Sequence, residues 1–308
     1  MNVLITGGAG YVGNELVYKL AQDPEVESIL IYDNLSRKIY TIFFDTPIEN
    51  TKVRFVRGEL LDSRLIRSIL PGIDVVYHLA AKVSTPFANE DSHLFEQINN
   101  WGTAELVYEV EESKVKHFIY ISSTSVYDSS KKFIDIDSVP NPKTFYGNSK
   151  LRGESHVQRL MPKMKTHIIR CGNIYGYSPS LRFDAVINRF MFEANFYGRL
   201  SVQGNGNQHR AFIHIDKAVN VMSNLIHSDL NSGIYNLVDR NLSVLEITDH
   251  IKVLYPELET IFISQHLEMR EMKVRPDERL EKICNHPHQS FTDELIAFKK
   301  KFAFTFEK

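Results

Sequence analysis

Three patterns predict an α/β fold built on a doubly wound parallel sheet. Short apolar runs alternate with segments of helical composition through the first half of the chain. The runs are apolar at consecutive positions, which is typical of strands that are buried on both faces of a parallel sheet. The first run leads directly into a glycine-rich turn and then a helix, as a βαβ unit begins.

The elements follow in order from these runs. Apolar runs rich in β-branched and aromatic residues predict strands at Val3–Thr6, Ser28–Tyr32, Val53–Val56, Val75–Leu79, His117–Ser122 and Thr166–Arg170. Helical composition predicts the connecting helices Asn14–Gln22, Ser63–Leu70, Gly102–Glu112 and Tyr146–Leu160. Pro71-Gly72 ends the second of these helices.

The regular alternation stops after residue 175. The stretch YGYSPSLRF is loop-like, and Leu200–Ala211 is polar and rich in glycine and asparagine. Isolated elements are expected at Gly233–Val238, Val244–Tyr255 and Thr260–Ser264. We therefore predict a large α/β domain at residues 1–174, to which residues from about 212 to 240 contribute. A smaller mixed domain is predicted at residues 175–308.

Composition disfavours several classes of protein. The 308 residues carry a formal net charge of −2, which does not favour nucleic acid or an anionic membrane as a partner. No apolar run approaches the roughly 20 residues of a membrane helix, and no signal peptide is recognised. Cys171 and Cys284 are far apart in sequence, so a reducing cytoplasm is the simplest setting. No metal site is expected, because the histidine-rich His286–Gln289 has no carboxylate cluster beside it.

Gly7, Gly10 and Gly13 lie between the first strand and the first helix. This spacing allows a sharp turn whose backbone N–H groups, with the helix dipole, face a bound pyrophosphate. Asp33 ends the second strand, where a carboxylate accepts hydrogen bonds from the adenosine ribose and repels a 2′-phosphate. The pattern predicts dinucleotide binding with NAD favoured over NADP, although Arg37 weakens that preference slightly. The alternative is a tight turn that binds nothing.

A second set of residues indicates proton transfer. Tyr146 and Lys150, within TFYGNSK, lie on one face of a predicted helix. A free phenol has a pKa of about 10, and a neighbouring ammonium favours the phenolate, which can take a proton from a substrate hydroxyl. Ser123 follows the fifth strand and can hold the substrate oxygen. A tyrosine–lysine pair alone is common on protein surfaces. The glycine turn and Asp33 favour a catalytic role for the pair in this chain.

Further residues suit the same cofactor site. Glu59, just after the third strand, can accept a hydrogen bond from the adenine amino group. Ala80 and Ala81, after the fourth strand, are small enough for a cofactor to pass closely. Asn99 either contacts the cofactor or caps the next helix.

The chain resembles the extended short-chain dehydrogenases/reductases, in the NAD-dependent epimerase/dehydratase branch. The resemblance extends to about residue 240 and continues more weakly beyond it. The stretches that carry it are TGGAGYVG, YDNLS, VYHLAA, ISSTSVY, YGNSK, RCGNIYG and QHRAFIHIDKAV. It implies that the larger domain is a Rossmann domain that binds NAD and that the smaller one binds a nucleotide-diphosphate sugar.

The resemblance also implies roles for individual residues. Ser123, Tyr146 and Lys150 would be the catalytic residues. The implied and inferred cofactor contacts are Gly7, Gly10, Tyr11, Val12, Asp33, Asn34, Glu59, Leu60, Leu79, Ala80, Ala81, Asn99, Tyr146 and Lys150. The expected substrate contacts are Ser84, Ser123, Asn173, Arg182, Asn188, Arg210 and Arg270. Among these, Asn173 and Arg210 would hold the diphosphate, and Arg182 and Asn188 would lie near its nucleotide end.

A second arginine is expected on the diphosphate. Both Arg270 and Arg275 in EMREMKVRPDERL are candidates, and Arg270 is preferred narrowly. Trp101 is expected to pack within its helix. The resemblance also implies a homodimer, formed by the helix carrying Tyr146 and the helix after Asn99.

Residues after Ser123 bear on the reaction. The nucleotide-sugar 4,6-dehydratases that resemble this region carry an Asp-Glu pair directly after the catalytic hydroxyl, whereas this chain has Thr124 and Ser125. Neither can supply a comparable acid and base, so the sequence favours a 4-epimerase that recycles its NAD. The alternatives are a net dehydrogenase or reductase of a nucleotide sugar, a non-catalytic NAD(H) sensor, and a dehydrogenase of apolar ketols. A phosphate-binding Arg210 disfavours the last of these.

Overall fold

The computed structural model describes residues 1–44, 52–83, 92–264 and 270–304. Its strands are β1 Asn2–Thr6, β2 Ser28–Asp33, β3 Val53–Arg57, β4 Val75–His78, β5 His117–Ser123, β6 Ser130–Ile134, β7 Lys165–Cys171, β8 Asn173–Tyr175, β9 Arg199–Gln203, β10 His209–His214, β11 Gly233–Leu237, β12 Arg240–Ser243, β13 Glu259–Ile263 and β14 Met272–Val274. Its helices are α1 Tyr11–Ala21, α2 Ser63–Ile69, α3 Ser92–Phe95, α4 Gly102–Glu111, α5 Phe145–Gln158, α6 Val186–Tyr197, α7 Ile215–Asn224, α8 Val244–Leu254, α9 Glu278–Lys282 and α10 Phe291–Lys299.

A seven-stranded parallel sheet forms the centre of the fold, in the order β11-β7-β5-β4-β1-β2-β3. The predicted doubly wound α/β class is therefore confirmed. The strand order reverses between β1 and β4, which opens a crevice at their carboxyl ends. Every predicted residue of the glycine turn lies at this crevice.

Apolar side chains of the sheet form a separate core on each face. Successive strand residues point to opposite faces, so Ile5 packs with Leu16 of α1 and Met222 of α7. On the other face Leu4 packs with Leu106 of α4 and Val157 of α5. Burial on both faces explains why the strands are apolar at consecutive positions.

Side-chain caps fix where the helices begin. Asp62 accepts a hydrogen bond from the backbone nitrogen of Leu65 at 3.0 Å, and Thr144 accepts one from Gly147 at 3.0 Å. The start of α5, which carries Tyr146, is thus determined by a local signal.

The C-terminal half departs most from the sequence-based expectations. The polar stretch Leu200–Ala211, for which no strand is predicted, contributes most of its residues to β9 and β10, joined by a turn with Gly204 and Gly206 at positive φ. These strands pair with β13, β8 and β12, which are distant in sequence, so local composition does not show them. The predicted strand Gly233–Val238 is confirmed as β11, and it completes the central sheet.

The expectation that Trp101 packs within its helix is wrong, because its side chain is 58% exposed.

Among the described residues, no helix combines the length and apolarity needed to cross a membrane.

Two buried histidines predict that stability falls in acid. Burial lowers the pKa of His117 to about 3 and that of His78 well below its usual value. Below about pH 6.5 the unfolded chain therefore binds more protons than the folded one, and stability present above that pH is lost. We expect the free energy of unfolding to fall by about 1 kcal/mol per histidine between about pH 6.5 and about pH 5.5, measured by urea unfolding.

The variant His117→Gln should flatten this dependence. His288→Gln, at an exposed position, is the control and should keep the wild-type slope. A slope that does not change in His117→Gln would contradict the assignment.

Candidate active site

The glycine turn brings three backbone segments together at the carboxyl edge of the sheet. Gly7 has a φ of +73°, and a Cβ atom there would lie 2.6 Å from the backbone nitrogen of Ala80. A Cβ atom on Gly13 would lie 2.2 Å from the carbonyl oxygen of Gly7. Glycine at these positions lets α1 begin directly beyond β1 while the segment after β4 passes beside it.

The first turn of α1 is suited to an anion. Within residues 1–44, which the structure describes without a break, Gly10 precedes α1 without a side-chain cap, and the first turn of α1 has no acidic residue. Backbone N–H groups in this turn, including those of Tyr11 and Val12, carry the positive end of the helix dipole. The turn therefore fits the pyrophosphate of a dinucleotide.

Asp33 and Glu59 follow the neighbouring strands β2 and β3. The Asp33 carboxylate accepts hydrogen bonds from the backbone nitrogens of Ala9 at 3.1 Å and Leu35 at 2.8 Å. Burial raises the pKa of Asp33, and these two hydrogen bonds oppose the rise. Asn34 Nδ2 donates to Glu59 Oε2 at 3.0 Å, so the residues expected around the adenosine are joined to one another.

The other wall of the crevice comes from the end of β4. The backbone nitrogen of Leu79 donates to the Thr6 carbonyl at 3.1 Å, which keeps this segment beside β1. Ala80 and Ala81 are half-buried next to Gly7. Leu60 is buried in the core, where its side chain packs against Gly102.

Asn99 lies inside a helix, so the expectation that it might cap one is wrong. The helix begins at Ser92, and a π-helical segment, Glu96–Trp101, joins α3 to α4. Asn99 is fully buried, and its amide bonds both backbone groups of Lys82, at 2.8 and 2.9 Å, and Ser149 Oγ at 3.0 Å. It ties the segment after β4 to α5, and its contact with the cofactor stays a prediction.

Ser123, Tyr146 and Lys150 converge from two elements. Ser123 ends β5, and its side chain lies near enough to Tyr146 to oppose the burial-induced rise in the pKa of that phenol. A Cβ atom on Gly147 would lie 2.3 Å from the carbonyl oxygen of Ser125, so α5 packs directly on the turn after β5. This close packing places the phenol beside the serine hydroxyl.

Burial acts in opposite directions on Tyr146 and Lys150. It raises the pKa of Tyr146, and Arg182 and the Ser123 side chain oppose that rise. Lys150 is 2% exposed, with Nζ 4.1 Å from the centre of the Tyr120 ring, and burial lowers its pKa to about 7. Neighbouring charges therefore decide the protonation of both groups.

Sequence reasoning did not single out two buried charged residues next to Lys150. Glu154 lies one turn further along α5, and Arg170 near the end of β7 donates to its carboxylate from Nε and Nη2 at 3.0 and 2.7 Å. The i,i+4 spacing of Lys150 and Glu154 was the signal available in the sequence.

Arg210 and Arg270, here called the arginine pair, lie close together. Burial, with the neighbouring Arg270, lowers the pKa of Arg210 to about 10. Arg270 Nη2 donates to the Tyr127 carbonyl at 3.0 Å, and Asn173 Nδ2 donates to the carbonyl of Ala211, next to Arg210, at 3.0 Å. Two adjacent guanidinium groups repel each other, and a phosphate anion would relieve that repulsion.

The alternative arginine lies elsewhere. The Arg275 guanidinium is 5.9 Å from the centre of the Phe133 ring. Of the two candidates, Arg270 is the one that the structure brings next to Arg210.

Tyr11 and Asn188 hold a buried loop. The Tyr11 hydroxyl donates to the Gly176 carbonyl at 2.7 Å, and the Gly176 nitrogen donates to Asn188 Oδ1 at 3.0 Å. Asn188 Nδ2 donates to the Arg182 carbonyl at 3.1 Å, and Asn188 is fully buried. The side chains of Tyr11 and Asn188 thus bond the loop, and Tyr11 offers its backbone to the pyrophosphate site.

Arg182 lies near the Tyr146 phenol, and its contact with the nucleotide end of a substrate stays a prediction. Its charge opposes the burial-induced rise in the pKa of Tyr146. Its Nε and Nη2 contact the Asp184 carboxylate at 2.9 and 2.8 Å.

Ser84 lies outside the described residues. In the described part of the chain, no group of three histidine, cysteine, aspartate or glutamate side chains could hold a metal ion.

A family model agrees with this geometry. The model of the NAD dependent epimerase/dehydratase family matches residues 3–237, a span that runs from β1 to β11. The chain belongs to the NAD-dependent epimerase/dehydratase family. The predicted family, its enzymatic nature and NAD as its cofactor are confirmed by this match.

Curated relatives in the family carry both kinds of name. Human dTDP-D-glucose 4,6-dehydratase is 27% identical over 261 residues, 83% of this chain and 74% of the relative. A Bacillus subtilis protein described as an uncharacterized UDP-glucose epimerase is 27% identical over 226 residues, 71% of this chain and 70% of the relative. Membership of the family therefore does not choose between epimerisation and dehydration.

Solved structures share the fold. UDP-glucuronic acid 4-epimerase of Bacillus cereus, in complex with UDP-glucuronic acid and NAD, has a TM-score of 0.85 at 23% identity, covering 97% of this chain and 98% of that chain. A dTDP-glucose 4,6-dehydratase of Streptomyces venezuelae has a TM-score of 0.84 at 21% identity, covering 97% of this chain and 96% of that chain.

Asp33 should set the preference for NAD over NADP. In Asp33→Ser the ribose hydroxyls no longer donate hydrogen bonds to a charged carboxylate. Each such bond contributes about 1.5–3 kcal/mol, so NAD should bind at least roughly tenfold more weakly. Removing the negative charge should also improve NADP binding relative to NAD. Equilibrium binding of both dinucleotides measures the change.

Asp74→Ser is the matched control, because Asp74 lies at the start of β4, on the opposite edge of the sheet. It should leave the NAD-to-NADP ratio unchanged. An unchanged ratio in Asp33→Ser would contradict the role given to Asp33.

Proposed function

We propose that this protein is an NAD-dependent nucleotide-sugar 4-epimerase. The observation that carries the proposal is the convergence of Ser123, Tyr146 and Lys150 at the edge of the sheet that holds the glycine turn. The arginine pair supports a diphosphate substrate, since guanidinium groups bind phosphate oxygens with charge-assisted hydrogen bonds.

Each catalytic residue has one task in this proposal. Ser123 holds the sugar hydroxyl, and Tyr146 accepts its proton as a phenolate and later returns it. Lys150 holds the nicotinamide ribose and, when charged, favours the phenolate. NAD, when bound, accepts and returns the hydride of the sugar carbon. Rotation of the keto sugar between the two transfers inverts the carbon.

The residues after Ser123 favour epimerisation over dehydration. Elimination of water from the sugar needs an acid and a base next to the catalytic hydroxyl. Thr124 is 3% exposed, and it and Ser125 have hydroxyls that do not ionise near neutral pH.

Turnover with a panel of UDP-, GDP-, CDP- and dTDP-sugars tests the proposal. We expect NMR to show a C4-inverted sugar with no lasting absorbance from reduced NAD. Tyr146→Phe should lower kcat roughly 10²–10⁴-fold, the usual contribution of general acid–base catalysis. Tyr197→Phe, a 61% exposed tyrosine on α6, is the control and should leave kcat unchanged.

Two other products would contradict this proposal. Accumulation of reduced NAD with a keto sugar would indicate a net dehydrogenase, and a 4-keto-6-deoxy sugar would indicate a dehydratase. NAD binding without turnover of any sugar in the panel would favour a sensor.

The division of the chain and its location belong to the same proposal. Residues 1–174, with about 212–240, would form the NAD domain, and residues 175–308 would bind the substrate. The pairing of β11 with β7 supports the contribution of the later segment. Both cysteines are free, which supports a reducing cytoplasm.

We also propose that the protein forms a homodimer through α4 and α5. Three aromatic side chains on or next to these helices are exposed to solvent: Trp101, directly before α4, by 58%, Phe145 on α5 by 48% and Tyr108 on α4 by 47%. Large apolar groups clustered on one surface are typical of a protein–protein interface.

Trp101→Glu should therefore weaken the dimer, because association would bury a charge. Light scattering coupled to gel filtration should show a dimer for the wild type and a monomer for Trp101→Glu. Tyr197→Glu alters an equally exposed aromatic residue on α6 and should remain dimeric. A monomeric wild type would exclude this assembly.

A further inference from the structure

A buried ion pair lies next to Lys150. Glu154 is fully buried and Arg170 is 3% exposed. Arg170 holds the carboxylate with Nε and Nη2, at 3.0 and 2.7 Å. Two charges out of water are costly even when paired, and a well-packed apolar pair often stabilises a fold as well. Stability alone therefore gives little reason for charges at this position.

The contacts of the pair reach the main parts of the catalytic site. Ser122, next to Ser123, donates from Oγ to Glu154 Oε1 at 2.5 Å. Arg170 Nη1 donates to the Tyr127 hydroxyl at 2.8 Å, and the Tyr127 carbonyl is the group that Arg270 contacts. The pair thus joins α5, the end of β5, the end of β7 and the arginine pair.

Lys150 also lies within the field of Glu154. The two residues are one helical turn apart, and burial of Lys150 leaves little water to screen the carboxylate. The titratable and charged groups that face Lys150 or Glu154 are Tyr146, Tyr120, Tyr127, Cys171, His78 and Arg170. Of all the groups around Lys150, Glu154 is the one that most favours the charged form of this lysine.

We propose that Glu154 is a positioning residue for the reaction, held by Arg170, which keeps Lys150 charged and fixes the serine end of β5 against α5. This inference rests on the proposed function, in which the charge of Lys150 promotes the phenolate of Tyr146. It adds a second role to a buried pair that otherwise only joins a helix to a strand.

Lys150 is close to its titration point at neutral pH. Burial brings the pKa of Lys150 down to about 7, so the ammonium is only partly populated near neutral pH. A further fall of one unit in the pKa of Lys150 would reduce the charged fraction of this lysine at neutral pH from about one half to about one tenth. Loss of the Glu154 charge therefore lowers the fraction of active enzyme even where the fold is intact.

The decisive variant replaces both charges. Glu154→Met with Arg170→Leu removes both members of the ion pair, so it avoids the destabilisation that leaving one of them without its partner causes. Thermal unfolding with bound NAD establishes that the double variant is folded. We expect its kcat at neutral pH to fall about fivefold or more, with KM changed much less, because the protonation of Lys150 is altered and not the diphosphate site.

A titration without turnover gives the second readout. In protein labelled with ¹³C at the lysine ε-carbons, the Lys150 signal is the one lost in Lys150→Met. Its pKa should be lower by about one unit in the double variant and in Glu154→Gln. Glu154→Asp retains the charge and should recover part of both losses.

The pair formed by Arg67 and Glu109 supplies the control. Its contacts are also two-pronged, at 2.7 and 2.8 Å, but Arg67 is on the surface of α2. Glu109→Gln should leave kcat and the pKa of Lys150 unchanged.

The outcomes separate the two proposals. A folded double variant with wild-type kcat and wild-type Lys150 titration overturns the positioning role while the proposed function stands. An inactive wild type overturns the proposed function, and the Lys150 titration then decides whether Glu154 still controls the charge of this lysine.

Discussion

The approach of bare backbone at the carboxyl edge of the sheet is the constraint on which the site depends. Gly13 lets α1 start against the Gly7 carbonyl, and Gly7 lets the segment after β4 pass within contact of β1. With side chains at these positions the crevice between β1 and β4 would be filled, and the dipole of α1 would point at protein atoms instead of a pyrophosphate. The absence of side chains at Gly7 and Gly13 thus creates the space for the cofactor site, and the carboxylate of Asp33 adds to it.

Dry surroundings make the chemistry of this site sensitive to a few charges. The same burial disfavours the phenolate of Tyr146 and the ammonium of Lys150, the two charged forms that the proposed reaction uses. Arg182 opposes the effect of burial on Tyr146, and Glu154 opposes its effect on Lys150. The arginine pair shows the same principle at the substrate end, where two like charges are held together by the fold and an anion would offset their repulsion.

Much of the fold follows from local sequence signals, and much of the site does not. The buried strands, the glycine turn and the Tyr146–Lys150 spacing are visible because each depends on residues a few positions apart. β9 and β10 were missed because their partners are remote in sequence and their composition is polar. The position of Asn99 inside a helix follows from a π-helical segment that apolar periodicity does not reveal. The contact of Glu154 with Arg170 exists only once a helix and a strand have packed together.

The last strand of the central sheet has a consequence for how the chain folds. β7 pairs with β5 on one side and with β11 on the other. Residues 165–171 are therefore hydrogen-bonded on both sides only after residues 233–237 have joined the sheet. Until then β7 is an open edge that carries apolar Ile168 and Ile169, which is a template for pairing with another chain. During synthesis this edge of β7 therefore stays unpaired until residues 233–237 have emerged.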